Sequence, residues 1–352
     1  MRTASVRRAF LSVSTAGLAA LVVAACGSSG GGSSNSGSGS GGSVKGANLT
    51  VVQAGGSDFS SADVPYFVSL LKKEGINAHL TAIADASSAT RAVIAGQAQL
   101  GINDLEDAIL PIAQGHAPIK IIAANNQASD YVLVAQKNIT LQNASGKTLG
   151  IDTPGSAGQG AAELGLKASG VNPQSIRYVT VGDTSARETA VVAGKIGIAP
   201  VHYPVALAAL GTGKVHEILN IGKAIGPYLQ SALIANDSFL KNKALAKAVI
   251  AAFIKAERWA DSSASAYIAY AKSQNLLGGL PTSQAEETWN NYHAVKYFGV
   301  NGGVCPTYVN KFVSLSKEVN LLPKNMPATS QWLDPTLVQN YLTSHGQSAS
   351  TC

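Results

Sequence analysis

Two glycine-rich loops carry side chains suited to gripping a small molecule. Gly55-Gly56-Ser57 follows the apolar run Leu49–Ala54 and opens a helical stretch. Thr153-Pro154-Gly155-Ser156-Ala157-Gly158 follows Thr148–Ile151 in the same way. Glycine lets a ligand approach the backbone, and the amides of a helix N-terminus favour an anion or a polar group. A turn ending in a helix cap uses the same residues. Further candidates stand at strand ends: Asn103-Asp104 after Leu100–Ile102, His202-Tyr203 after a later apolar run, and Asp130-Tyr131 at the head of another. Tyr203 could stack on a flat solute and His202 could donate a hydrogen bond. The hydroxyls of Ser87, Ser88, Thr184 and Ser185 stand at helix starts, as caps or as caps that also reach a ligand. Asp58, Asp104, Glu106, Asp107 and Asp130 bias the site toward acid. That suits a cationic or neutral heteroaromatic ligand at least as well as an anion, although carboxylates also favour helix N-termini.

Catalytic signatures do not emerge. Gly155-Ser156-Ala157-Gly158 has Pro154 where a nucleophile elbow needs glycine. Gly211-Thr212-Gly213-Lys214 is followed by Val215 instead of Ser or Thr and lacks the upstream glycine of a phosphate loop. No histidine pair has metalloprotease spacing, and no CxxC or Cys/His cluster offers a zinc site. Neither a metal nor a cofactor is implied.

An internal duplication shows which elements must position these residues. Ala92-Val93-Ile94-Ala95-Gly96-Gln97 recurs 98 residues later as Ala190-Val191-Val192-Ala193-Gly194-Lys195, and Ala84-Asp85-Ala86-Ser87 recurs at the same offset as Gly182-Asp183-Thr184-Ser185. Gly75-Ile76-Asn77 resembles Gly170-Val171-Asn172. Each copy reads as strand, helix, strand, helix, strand. In the first, Leu49–Ala54 is a strand and Asp63–Glu74 a helix, with Val64, Phe67, Val68 and Leu71 at helical spacing and Gly75 as its stop. Ala78–Ala84 is a second strand, Ser87 or Ser88 caps a helix that ends at Gly96, and Leu100–Ile102 is a third strand. Such alternation predicts parallel βαβ units in an α/β fold. Ligands of open α/β sheets bind at the carboxyl ends of the strands, so two copies side by side enclose one cleft.

The N-terminal region reads as export and anchoring. Arg2, Arg7 and Arg8 precede an uncharged stretch, Ala9–Ala25, and Cys26 follows. This is a secretory signal layout, and the stretch falls short of the ~20 residues that span a bilayer. Gly27–Ser43 is Gly and Ser with one Asn, a composition that cannot bury apolar surface; its reach is roughly 20–25 Å. Three of the 26 basic residues lie in the first 25 positions, so the remainder carries a charge of +3 against 20 acids. Without a dense basic cluster, a nucleic-acid partner is not indicated. Cys305 and Cys352 make an even pair for an oxidising compartment and could close a disulfide.

The order of these motifs resembles a known family. A small residue directly before Cys26 is similar to the lipobox of bacterial lipoproteins, which implies cleavage before Cys26 and lipidation of its thiol. The chain from about 47 to 342 resembles the substrate-binding proteins of ABC importers for taurine, alkanesulfonates, nitrate and thiamine-pyrimidine precursors. The resemblance lies in Ala95-Gly96-Gln97-Ala98-Gln99-Leu100-Gly101-Ile102, Ile112-Ala113-Gln114-Gly115, Ile119–Ala124 and Gly146-Lys147-Thr148-Leu149-Gly150-Ile151, and more loosely in Val309–Leu322. It departs from the family at Gln99 and Gly197, where an Asp is usual, and at Ala199–Pro204. The resemblance implies a two-lobed periplasmic-binding-protein fold of the type with two chain crossings and duplicated βαβαβ lobes. The expected organisation is a signal peptide over 1–25, a tether over 26–46, lobe one from 47–129 and 225–352, and lobe two from 130–224, with hinges near 128–132 and 218–228. It also implies a monomer on the outer face of the bacterial cytoplasmic membrane, lipid-anchored, that hands a small solute to an ABC permease and ATPase and is not an enzyme. Two alternatives stand beside it: a sensor lipoprotein serving a membrane receptor, and an enzyme like the eukaryotic branch that synthesises a pyrimidine precursor. That branch uses a Cys-rich stretch which this chain lacks.

Overall fold

A computed structural model describes residues 44–115 and 117–349. Cys26, the Gly/Ser tether and Cys352 lie outside the described residues.

Two five-stranded sheets organise the chain. The first contains β1 (Asn48–Ala54), β2 (Asn77–Ile83), β3 (Leu100–Asp104), β4 (Ile119–Ala124) and β10 (Ser231–Asn236), in the order β2-β1-β3-β10-β4. The second contains β5 (Tyr131–Gln136), β6 (Thr148–Ile151), β7 (Arg177–Thr180), β8 (Ile198–His202) and β9 (Val215–Asn220), in the order β7-β6-β8-β5-β9. The orders are equivalent. In each sheet four strands run in one direction, and the one antiparallel strand, β10 in lobe one and β5 in lobe two, is inserted between the third and the last in the order. The parallel βαβ expectation holds for the repeated core, but the inserted strands make both sheets mixed.

The helices follow from the same pattern. Lobe one carries α1 (Asp63–Lys73), α2 (Ala86–Ile94) and α3 (Leu105–Gly115). Lobe two carries α4 (Ala157–Ala168), α5 (Thr184–Val192) and α6 (Tyr203–Gly211), and α7 (Ile221–Ile225) leads back. After β10 come α8 (Asp237–Leu240), α9 (Lys243–Ser262), α10 (Ala264–Ser273), α11 (Thr282–Val295), α12 (Pro306–Glu318), α13 (Thr329–Trp332) and α14 (Thr336–Ser344). On α1 the apolar stripe Val64, Phe67, Val68 and Leu71 is buried against the sheet and α9, with Phe67 edge-on to Phe253 at 5.4 Å. Burying each such side chain contributes about 1.5–3 kcal/mol. The caps of α2 and α5 correct the sequence reading: neither Ser87 nor Ser88 caps α2. Asp85 does, accepting from Ser88 N–H at 2.8 Å, and Asp183 caps α5 by accepting from Ala186 N–H at 2.8 Å. A carboxylate one position before the helix reaches these amides, whereas a hydroxyl already inside the first turn cannot.

The C-terminal helices touch both lobes. Asn220 donates to Asn291 Oδ1 of α11 at 3.0 Å, and Tyr292 O–H donates to Asp130 at 3.4 Å. Lys311 of α12 donates to the carbonyls of Ile225 and Pro227. Among the described residues no helix is long and apolar enough to cross a membrane.

Candidate functional site

The carboxyl ends of β1 and β3 face those of β6 and β8 across a cleft with two adjoining cavities, about 270 and about 600 Å³. The smaller is lined by the β1 loop, the crossing at 125–131 and the start of β10; the wider by the β1 loop, the α2 start and the α4 and α5 starts. Ala54, Gly55, Asp104, Tyr131 and His202 line both.

The sheet register explains why Asp104 and His202 stand there. Asp104 ends β3 and pairs with Ser231, the first residue of β10; His202 ends β8 and pairs with Tyr131, the first residue of β5. Each is thus the last residue of a central strand, opposite the point where the chain enters from the other lobe. Gly55 and Gly56 have φ of +70° and +80°, which places the loop in a conformation that side chains disfavour and leaves its backbone open to the cavity.

Asp130 organises the floor. It is 2% exposed and accepts from His202 Nδ1 at 2.9 and 3.1 Å. Burial alone would lower the His202 pKa, but the charge of Asp130 and its hydrogen bond outweigh this and raise it. Tyr131 packs on the His202 ring with centroids 4.2 Å apart. Asp104 is pushed up to about 7, first by burial and then by the charge of Asp107, while His202 opposes the rise. Below the floor, Asn125 donates to Asp63 at 2.7 Å and to Glu257 at 3.0 Å, and Gly299 N–H donates to Glu257 at 2.9 Å. Burial raises both acids, Asp63 to about 6.

Among the candidates named from sequence, Gly55, Gly56, Ser87, Asn103, Asp104, Asp130, Thr153, Ser156, Thr184 and His202 line the cleft. Others have different work. Ser57 donates to Gln53 at 2.8 Å, and Ser88 donates to Asp85 at 2.7 Å. Ser185 is exposed and Tyr203 is half-buried, and neither lines either cavity of the cleft. Tyr203 begins α6 and packs between two apolar clusters, the one that includes Phe59 and Tyr292 and the core of lobe two. The tyrosine that lines both cavities is Tyr131, 7% exposed. Asn103 turns its amide away, donating to Thr90 and the Ala86 carbonyl. Sequence reasoning missed Arg187, which is 2% exposed and lines the wider cavity from inside α5. Cys305 is buried and disulfide-bonded. Among the described residues no group of His, Cys, Asp and Glu could hold a metal ion.

Known proteins share this architecture. The periplasmic aliphatic sulphonate-binding protein SsuA from Escherichia coli superposes with a TM-score of 0.60 at 19% identity, covering 81% of this chain and 91% of that one. The alkanesulfonate-binding protein SsuA from Xanthomonas axonopodis pv. citri, bound to MOPS, gives 0.63 at 15% identity over 82% and 99%. The periplasmic nitrate-binding protein NrtA from Synechocystis PCC 6803 gives 0.64 at 13% over 84% and 88%. The fold is therefore the two-lobed periplasmic-binding-protein fold with two chain crossings. No curated protein sequence matches the chain. The family model described as NMT1/THI5 like matches residues 69–263, more than half of the sequence, and the chain belongs to that family.

Proposed function

We propose that this protein is an extracytoplasmic solute-binding lipoprotein that captures a small molecule between its lobes and delivers it to an ABC importer. The observation that carries the reading is the cleft, lined from both lobes by strand ends that are equivalent in topology and different in chemistry. A solute touching Asp104 and Gly55 on one side and Thr153, Ser156 and His202 on the other bridges two bodies. It then favours the closed arrangement by its differential affinity for it. The structural neighbours named above are binding proteins, which supports a solute-binding role. The lipobox-like Cys26 and the Gly/Ser stretch support an anchor that holds the domain near a membrane permease.

The test is mass spectrometry of solute retained by the purified full-length protein, followed by calorimetry with the compounds found. A retained solute that binds one-to-one and is released unchanged is the expected result. Turnover of that solute would favour the pyrimidine-precursor enzyme instead, and permease and ATPase genes beside this one favour transport over sensing. Cys26→Ala should release the folded protein from the membrane; fatty acid still incorporated into that variant would rule out Cys26 as the lipidated residue.

A further inference from the structure

Two carboxyl groups lie buried together beneath the cleft with no cation to balance them. Asp63 opens α1 and is 1% exposed, and Glu257, within α9, is fully buried. Among the described residues the ion pairs are His202–Asp130 and His293–Asp261, so neither acid belongs to one. The titratable side chains that face the pair are Asp58 from the β1 loop, Tyr267 of α10 and Tyr297 beyond α11, and none brings a positive charge. Arg258, the next residue on α9, turns instead to the Val300 carbonyl, Asn301 and Gln347. Two carboxylates in such a place repel each other and forgo their hydration. One of them must keep its proton.

The geometry says which. Asp63 is the first residue of α1, where the helix amides favour a negative charge, whereas Glu257 sits inside α9 without that help. Asp63 Oδ1 is buried and has no N–H or hydroxyl donor, which leaves it open to a proton carried by Glu257. The two side chains are within hydrogen-bonding reach of each other. Burial, and then the charge of Asp63, raise Glu257 well above the ordinary carboxyl range.

Asn125 connects the pair to the cleft. It follows β4 at the start of the first crossing, lines the smaller cavity and accepts from Ser231 Oγ at 3.3 Å. A side-chain amide has two N–H donors, and Asn125 Nδ2 reaches one oxygen of each carboxyl, Asp63 Oδ2 and Glu257 Oε1. It keeps both bonds only while the two acids stay together. Loss of the proton would set two negative charges against each other, draw water between α1 and α9, and cost Asn125 one of its anchors.

We propose that Glu257 and Asp63 hold one proton between them at neutral pH, and that this proton locks the first crossing, Asn125–Asp130, beneath the cleft until alkaline pH removes it. In the step, the Glu257 O–H gives its proton to hydroxide, forming water, and the pair passes from one negative charge to two. The device belongs to the scaffold under the cleft and stands apart from the solute-binding reading. Asp104 and His202 line the same cavity as Asp130 and also lose protons as pH rises, so the test has to separate them from the pair.

The experiment uses the full-length protein with no solute added. Infrared spectra at neutral pH should show the carbonyl stretch of a buried protonated carboxylic acid, and Glu257→Gln should remove it. Hydrogen exchange of the amides of 125–131, corrected for the intrinsic effect of pH, should speed up about tenfold or more between about pH 7 and about pH 9. The amides of β7, in the other lobe, should show no such change. Glu257→Gln keeps a donor for Asp63 but has no proton to lose, and should hold the crossing protected at both pH values. Should that variant fail to fold, Asp63→Asn removes the like charge and should cut the acceleration to about threefold or less. The proposal is overturned if wild type lacks the infrared band, or if its crossing exchanges alike at both pH values. It is also overturned if the variants loosen as much as wild type, which would give the effect to Asp104 and His202. Any of these failures leaves the solute-binding reading standing, because none of the measurements involves a solute.

Discussion

Residue 104 of lobe one and residue 202 of lobe two occupy one structural position, 98 residues apart. Each ends the third strand of its sheet, and each pairs with the first residue of the antiparallel strand that enters beside it. One is an aspartate held half-buried with its pKa raised by burial; the other is a histidine whose pKa is raised by a buried carboxylate. The same offset relates Ala89, fully buried in α2, to Arg187, buried in α5. By contrast, Asp85 and Asp183 keep one identity and one job, each accepting an amide at 2.8 Å. The helix-capping positions have stayed alike even at the cleft edge, while the strand ends at 104 and 202 and the pair 89 and 187 have parted. A duplicated frame binds an asymmetric solute only through such divergence.

The largest test of this contrast sets two neighbouring tyrosines against each other. Tyr131 lines both cavities and Tyr203 lines neither. Tyr131→Ala should weaken solute binding by about 1–3 kcal/mol, the scale of an aromatic contact surface lost. Tyr203→Ala should leave affinity within about twofold and lower thermal stability instead. Calorimetry and a melting curve on each variant decide the matter. Equal losses of affinity would return Tyr203 to the site.

How much of this was legible in the sequence depends on where each signal was stored. The duplication, the glycine loops and the strand ends at Asp104 and His202 were legible, because periodicity and chain order encode them locally. Tyr203 lies outside the two cavities because α6 begins at Tyr203 itself, with Pro204 next, and the side chain packs against the cluster that includes Trp289 and Tyr292 of α11. Arg187 was invisible because it stands among polar residues on a short helix and looks like surface; only its tertiary contacts to Pro200 and Gly182 bury it. The inserted strands β5 and β10 carry no repeat signature. Their places follow from pairing with strands of distant sequence, which local patterning does not record.

Substitution at the equivalent strand ends should change stability with opposite signs. His202→Ala leaves Asp130 buried with only the long Tyr292 hydrogen bond to its side chain, and should cost about 1–2 kcal/mol after allowing for the partial exposure of the imidazole. Asp104→Asn removes a carboxylate whose charged form the fold disfavours, and should stabilise the solute-free protein by about 1–2 kcal/mol above pH 7. Denaturant titrations at pH 8 measure both. Two destabilising results would mean that Asp104 is held by the fold and not for the solute.

The pH dependence follows from the same groups. Asp63 is raised to about 6 and Asp104 to about 7, so the native state binds more protons than the unfolded chain between about pH 4 and pH 7. Stability must therefore fall as pH rises through that window. The raised His202 adds a loss of the same sign just above the ordinary histidine range. The melting temperature of the solute-free protein should decline from pH 5 to pH 8, with Asp63→Asn removing the lower part of the decline and Asp104→Asn the upper. A melting temperature that rises across this range would contradict the assignment.

The smallest expected effect probes the half of the comparison that stayed alike. Asp85 and Asp183 each satisfy one of the orphan amides at a helix start, by the same bond at the same length, with the carboxylate exposed in both lobes. Asp85 also accepts from Ser88 Oγ, which in turn accepts from Arg91, so its carboxylate is held below the usual range chiefly by the Ser88 hydrogen bonds. Replacing either aspartate with alanine frees a donor at the edge of the cleft without opening a cavity in a core. Each substitution should lower the melting temperature by roughly 2–3 °C, and the two losses should agree within about a degree. The Asp85 loss should shrink below pH 4, as its lowered pKa is approached, because a protonated carboxyl is a poorer acceptor. Equal losses would show that duplicated scaffold positions remain interchangeable in energy as well as in geometry. A loss confined to one lobe would mean that its cap had also been drawn into the site, since Asp85 and Asp183 both line the wider cavity.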